Sequence, residues 1–271
     1  MRDQDPKVTF HPRGRLGNLM FQTAAAIGYA KKYNVAWGVP RRTPEVPRFH
    51  EFFPGLPICD NHFRSYQEHP NDDFCQVHNC NKGKCWFNYH DIPFHPQGVQ
   101  LAGFWQSWRY FNHCQEEVQK AFRLKEYPEL KDYVSIHVRR GDYVKYDYSF
   151  PPVTREYVSK ALEHVPTANA RGFLMFSDDI AWCKETWGDD IEYAGSNPDN
   201  PLENLAMMAS CSHNIIANST YSYWAAWLNK NPNKIVVSPS HKRGSWFGMQ
   251  SGVQSDCIDL LPPNWTQIEF R

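Results

Sequence analysis

From residue 132 onward, short apolar runs alternate with stretches of helical period, and few architectures satisfy that alternation. Tyr133–Val138 reads as a buried strand, and residues 154–165 follow with Val158, Leu162 and Val165 on one face. Residues 172–176, 191–194, 214–217 and 235–237 repeat the strand signal. Between them, Ile180, Cys183 and Trp187 fall at i, i+3 and i+7. Residues 201–211, with Leu202, Leu205, Ala206 and Ala209 inward, and residues 221–228 complete the helices. Strands separated by whole helices are joined by crossovers rather than hairpins, which predicts a parallel sheet covered on both faces, a doubly wound α/β domain.

The first half opens the same way and then loses its period. Residues 8–10 read as a strand, Leu16–Tyr33 as an alanine-rich helix and residues 35–39 as another strand. Over residues 40–95, Pro, His, Cys and aromatics crowd without a steady period, which predicts long ordered loops and short helices. Residues 103–108 read as the end of a strand and residues 110–124 as a helix. The stretch 126–131, with Pro128, is the expected link. The expected division is an N-terminal domain, 1–130, and a C-terminal domain, 131–271.

Composition narrows the function classes. In 271 residues, 29 Lys plus Arg balance 29 Asp plus Glu, which argues against a dedicated nucleic-acid binder. No apolar run approaches the roughly 20 residues of a membrane span, and residues 1–6 lack the apolar core of a secretory signal, so a cytoplasmic protein is expected. Aromatics reach 15%, a balance that suits stacking of sugars or bases. The eight cysteines are spread widely and read as free thiols. Cys75, Cys80 and Cys85, with His78, are the exception to weigh, but their spacing does not match the short pairs of zinc ribbons.

In open parallel sheets, ligands bind beyond the carboxyl ends of the strands. Three such ends carry unusual polar residues: His137-Val138-Arg139-Arg140-Gly141-Asp142, Ser177-Asp178-Asp179 and Asn218-Ser219-Thr220. Two guanidinium forks suit the oxygens of a pyrophosphate. The hydroxyls of Ser219 and Thr220 stand at a helix N-terminus, a place that favours anions. Asp178 can accept from a guanine edge or ribose hydroxyls. The alternatives are structural: surface pairing of Arg139 and Arg140 with Asp142 or Asp147, helix capping by Asp178, Asp179, Ser219 or Thr220, and a packed His137. Gly14-Arg15-Leu16-Gly17-Asn18, between a strand and a helix, suits backbone contact with an anion or sugar, yet is neither a dinucleotide turn nor a Walker A loop. No serine-hydrolase elbow or zincin motif is present, and the one Asp-x-Asp, Asp3-Gln4-Asp5, gives little support to a metal-bridged nucleotide.

These segments resemble the α-1,2-fucosyltransferase family, and more distantly the α-1,6- and protein O-fucosyltransferases. The resemblance runs through residues 14–22, 103–107, 137–143, 176–179, 201–209 and 218–228, and leaves residues 40–90 uncovered. It implies a GT-B type α/β fold, two Rossmann-like domains facing a cleft, the N-terminal one on the acceptor side, with acceptor contacts from residues 40–95, and the C-terminal one binding the nucleotide. It further implies inverting transfer of fucose from GDP-β-L-fucose to a galactose-containing glycan, with no divalent metal and no other cofactor. Residue by residue, it implies Arg139 at the pyrophosphate, with Arg140 and Asp142 beside it. His137 and Asp178 fall at the guanine or ribose, and Ser219, Thr220 and Ser222 at the phosphates. Gly17 and Asn18 lie near the donor, Asn18 at the reacting sugar. Asp147 stands where relatives place a general base, and His11 is a second candidate. Trp105, Trp108 and Trp224 are candidate sugar-stacking rings, with core packing as their alternative. Transfer from another GDP-sugar and silent nucleotide or glycan binding remain open beside the fucosyltransferase reading.

Overall fold

The computed structural model describes residues 5–43, 49–68, 87–168, 170–194, 200–242, 244–249, 251 and 257–269. Two compact units divide the chain: Met1–Arg123 with Cys257–Pro262, and Leu124–Asp256 with Pro263–Arg271.

The first unit holds a three-stranded parallel sheet of β1 (Val8–His11), β2 (Ser65–Gln67) and β3 (Val99–Ala102), in the order β1-β3-β2. The long helix α1 (Leu16–Tyr33) follows β1 at the predicted bounds. Its small, mostly apolar residues bury nearly every position, which explains the alanine run. The short α2 (Phe49–Phe52) lies in the stretch without period, and α3 (Gln115–Ala121) follows two 3₁₀ turns at Trp108–Tyr110 and Asn112–Cys114. Two expectations are corrected. Residues 35–39 form no named strand and pair only through isolated bridges of Val8 with Trp37 and Val39 with Ile58. The strand expected at 103–108 ends at Ala102, because Gly103 (φ 154°) and Trp105 (φ 56°) leave the extended region.

The second unit is a six-stranded, all-parallel sheet. Its strands are β4 (Tyr133–Val138), β5 (Gly172–Ser177), β6 (Glu192–Tyr193), β7 (His213–Ile215), β8 (Val236–Pro239) and β9 (Thr266–Ile268), in the order β6-β5-β4-β7-β8-β9. The helices are α4 (Arg155–Leu162), α5 (Ile180–Trp187), α6 (Pro201–Ser210) and α7 (Thr220–Leu228). The chain winds outward from β4 through β5 to β6, then returns beside β4 with β7, so the strand order reverses between β4 and β7. Val134, Ile136 and Val138 enter the core with Tyr157, Val158 and Ala161 of α4. Ser135 and His137 alternate with them. The Ser135 hydroxyl accepts from the buried Asn214 amide at 2.7 Å, and the His137 ring lies 5.8 Å from that of Tyr221 on α7. The doubly wound expectation is met, and β9 adds an edge strand that the apolar pattern did not mark.

Among the described residues no helix is long and apolar enough to cross a membrane. The described cysteines, Cys59, Cys114, Cys183, Cys211 and Cys257, are buried thiols. Cys75, Cys80, Cys85 and His78 lie outside the described residues.

Candidate nucleotide-sugar site

The reversal between β4 and β7 is where an open parallel sheet leaves a crevice for a ligand, because the flanking loops part in opposite directions. Here the loop after β4 is a 3₁₀ turn, Gly141–Val144, and the loop after β7 is residues 216–219, leading into α7. The Tyr143 hydroxyl ties them by donating to the Asn218 carbonyl at 3.0 Å. Asn218 is itself fixed, its buried amide donating to the carbonyls of Pro151 (3.1 Å) and Trp246 (3.0 Å).

Arg139 leaves the end of β4 and meets two carboxylates. One Nη donates to Asp142 at 2.5 Å, and the other lies 2.7 Å from Asp178 at the end of β5. The guanidinium sits 5.5 Å from the centroid of the Tyr143 ring. A guanidinium carries five N–H donors, so one contact on each carboxylate leaves three for a ligand, in a fork whose direction is already fixed. The other Asp178 oxygen accepts from the Arg140 backbone N–H at 2.8 Å, so both oxygens are committed to this loop. Gly141 permits the approach: a Cβ there would fall 2.4 Å from Asp178 Oδ2.

Arg140 points elsewhere. Its guanidinium lies over the Trp182 ring, 3.6 Å from the centroid, and its Nε donates to Asp179 at 3.1 Å. Asp179 also caps α5, accepting from the Trp182 N–H at 3.2 Å. Capping and ion pairing, weighed as alternatives in the sequence, are both present in this one residue. His137 is buried, its Nδ1 has no hydrogen-bond partner, and burial followed by the Arg139 charge pushes its pKa down to about 3. It is neutral throughout the physiological range.

At the start of α7, Ser219 is the N-cap residue in extended conformation, and its hydroxyl makes no capping bond. The first-turn N–H groups are therefore not closed off by that side chain, and the positive end of a nine-residue helix faces the loop. The structure brings Ser219 and Thr220 to this end. Ser222 is turned inward, fully buried, with its hydroxyl donating to the Ser219 carbonyl at 3.3 Å. Asp147 is exposed on the turn that follows Asp142.

In the first unit, Ala102 of β3 pairs with both His11 of β1 and Gln67 of β2, so the three carboxyl ends coincide. Gly14 has φ 71°, and a Cβ on it would lie 2.1 Å from the Asn18 amide nitrogen, so this turn needs glycine on both counts. The Gln106 amide donates to Asn18 Oδ1 at 2.9 Å. Gln22, fully buried, holds the same turn by donating to the Arg13 carbonyl at 2.7 Å and accepting from its N–H at 3.1 Å. Glu68 accepts from the N–H groups of Phe104 (2.7 Å) and Trp105 (3.1 Å). Gly17 is buried in α1, and His11 is exposed at the end of β1. Trp105 and Trp224 are fully buried and serve the core.

Trp182 and Glu68 lie outside the segments that carry the resemblance, and Gln22, Gln106 and Tyr143 lie inside them with no role that residue type alone would mark. Among the described residues no group of three or more His, Cys, Asp and Glu is gathered so as to hold a metal ion.

The profile of glycosyl transferase family 11 matches residues 1–251. An α-1,2-colitosyltransferase of Escherichia coli is 27% identical over 237 residues, 80% of this chain and 72% of that protein. The galactoside 2-α-L-fucosyltransferase SEC1 of Bos taurus is 27% identical over 251 residues, 81% of this chain and 64% of its own length. Among solved structures, the NodZ α-1,6-fucosyltransferase soaked with GDP-fucose superposes with a TM-score of 0.53 at 13% identity, covering 83% of this chain and 93% of that one. That likeness shows a shared α/β fold of parallel sheets, of the GT-B type.

Proposed function

Because this chain belongs to glycosyl transferase family 11, we propose that it moves L-fucose from GDP-β-L-fucose to the 2-hydroxyl of a terminal galactose on a glycan. The proposed transfer inverts the anomeric centre and uses no divalent metal. The observation that carries this reading is the pairing, across the strand reversal, of a clamped guanidinium with a helix N-terminus. Fucosyl relatives among the matched proteins support the sugar.

As the C1–O bond lengthens, charge gathers on the departing diphosphate. Donors already aimed at those oxygens stabilise that charge without reorganising. Arg139 supplies the fork, and Ser219, Thr220 and the first turn of α7 supply hydroxyls and N–H groups. Asp178 and Asp142 hold the fork in place. Arg140, bound to Trp182 and Asp179, anchors the loop. The neutral His137 offers an uncharged edge to the base or ribose. Asp147 is proposed to accept the proton of the acceptor hydroxyl.

The colitosyltransferase relative supports a second reading, in which the same site takes a different sugar on the donor. Incubation with GDP-fucose, EDTA and a panel of β-galactosides, followed by linkage analysis, separates the readings. The expected result is an α-1,2-linked fucoside plus GDP. Turnover only with another GDP-sugar favours the second reading, and tight GDP binding with no product, or activity that returns only with manganese, overturns the proposal. In the same assay Arg139→Lys is expected to lose about a hundredfold or more in kcat, ~3 kcal/mol, because an ammonium cannot form the fork.

A further inference from the structure

The loop that carries the clamped arginine also carries a concentration of exposed apolar surface. Six large hydrophobic side chains stand out among the described residues, and four of them gather here: Val144 (48% exposed), Tyr146 (49%), Tyr148 (47%) and Met249 (58%). Val144, Tyr146 and Tyr148 share one loop, and the Met249 segment is bonded to it. The Tyr146 and Tyr148 rings meet edge to face with centroids 6.3 Å apart. The segment bearing Met249 is tied to the same loop, with the Gly248 N–H donating to the Ser149 carbonyl at 2.8 Å. A Cβ at Gly248 would fall 2.1 Å from the Tyr148 carbonyl oxygen, so the two segments are in close contact. Exposed apolar surface gathered in one place marks an interaction site more often than scattered residues do.

Two features decide what the patch takes. Its apolar side chains alternate with the exposed charges of Lys145 and Asp147. A flat protein or lipid face would have to strip water from both charges without repaying them. A saccharide lays its C–H face on a phenol ring and turns hydroxyls to the neighbouring charges, so both kinds of surface are satisfied. The second feature is continuity. Residues 140–150 form an unbroken string of turns: the Val144 N–H donates to the Arg140 carbonyl, that of Lys145 to Asp142, that of Tyr146 to Tyr143, and that of Phe150 to Tyr146. At a rise of about 1.5–2 Å per residue, Tyr146 stands on the order of 10–14 Å along the chain from Arg139. The Tyr143 ring stacks on Phe150 at 5.1 Å, which closes the loop on itself.

We infer that Tyr146 and Tyr148, flanking Asp147, form the binding platform for the acceptor saccharide. The inference rests on the transferase reading above, and places the acceptor contacts on a loop of the second unit, whereas the resemblance implies them on the first. The platform binds sugar rings by stacking and presents the hydroxyl to the Asp147 carboxylate.

The test is a Tyr146→Ala/Tyr148→Ala double variant of the full chain, compared with a Tyr146→Phe/Tyr148→Phe variant that keeps both rings. Saturation-transfer NMR with a β-galactoside-terminated oligosaccharide reads saccharide contact, calorimetry reads GDP affinity, and turnover from GDP-fucose gives KM and kcat. The expected result is a tenfold or greater rise in acceptor KM and loss of the saccharide signal in the alanine variant, with unchanged GDP affinity and melting temperature. The phenylalanine variant is expected to stay within about threefold of wild type. Unchanged acceptor KM and saccharide contact in the alanine variant would overturn the inference, as would a phenylalanine variant as impaired as the alanine one. Loss of self-association with saccharide contact intact would also overturn it, and would mark a protein interface. If wild type contacts the saccharide through these tyrosines but turns over no GDP-fucose, the donor assignment fails and the platform stands.

Discussion

Asp178 shows how little room this site leaves at the level of single atoms. One of its oxygens holds the Arg140 backbone and the other holds the Arg139 guanidinium, while Gly141 lies against the second. Placing a methyl group 2.4 Å from that oxygen forces the carboxylate to give up one partner. Gly141→Ala is therefore expected to lower kcat by one to two orders of magnitude, corresponding to about 1.4–2.8 kcal/mol of lost transition-state stabilisation. Its melting temperature should stay within a few degrees of wild type, because the loop lies outside the core. A wild-type rate in steady-state kinetics would show that the clamp does not matter. The types of residue here were legible in the sequence, since few roles other than anion binding or ion pairing place two arginines and an aspartate at adjacent strand ends. Their partners were not legible. Which arginine meets Asp142 and Asp178 and which lies on Trp182 depends on packing across about 40 residues, as the ion pair of Arg140 with Asp179 shows.

At the scale of the element, α7 is the helix on which the proposed chemistry leans, and its two ends are treated differently. The N-terminal end is left open by the Ser219 side chain, whereas the C-terminal end is closed by the Lys234 ammonium. That group donates to the carbonyls of Ala226 (2.7 Å), Trp227 (3.1 Å) and Asn229 (2.6 Å). A cation at the negative end of a helix is stabilising, and it satisfies carbonyls that the last turn leaves without partners. Lys234→Met is expected to cost about 1–3 kcal/mol and several degrees of melting temperature. Burial holds the Lys234 pKa down to about 8, below its ordinary value of 10.5. Between those pH values the unfolded chain binds more protons than the folded one, so this group makes stability rise with pH. The deficit of the methionine variant should therefore widen from pH 8 to pH 10 in denaturant titrations, and a deficit constant with pH would refute the assignment. Helix α7 was legible from its apolar period, but its lysine cap lies beyond the helix and leaves no periodic trace. Residues 35–39 failed in the opposite sense. Their composition suits a strand, yet only two bridges form, because strand propensity does not supply a neighbour to pair with.

The two units differ in legibility for a reason that belongs to the whole chain. A parallel sheet buried on both faces needs apolar strands and crossover helices in strict succession, so the second unit repeats its signal. The first unit spends its chain on turns held by buried polar side chains such as Gln22 and Glu68, and such ties have no period. The end of the chain belongs to both units. Cys257–Pro262 packs with the first, where Asp259 accepts from the Tyr89 N–H at 2.9 Å and pairs with Arg109 at 3.3 Å. Pro263–Arg271 then returns to the second, where β9 pairs along β8 and Ile268 joins the core. Without β9, the Val236–Pro239 strand becomes an open edge whose backbone groups lose their partners, the kind of surface that recruits another chain. A chain ending at Pro262 is thus expected to self-associate and to lose soluble yield, as read by size-exclusion chromatography, while keeping the Asp259 contacts of the first unit. Ending it at Asp256 should remove those contacts as well and lower the stability of the first unit in hydrogen exchange. A monodisperse, fully stable protein ending at Pro262 would mean that the sixth strand contributes nothing to the fold.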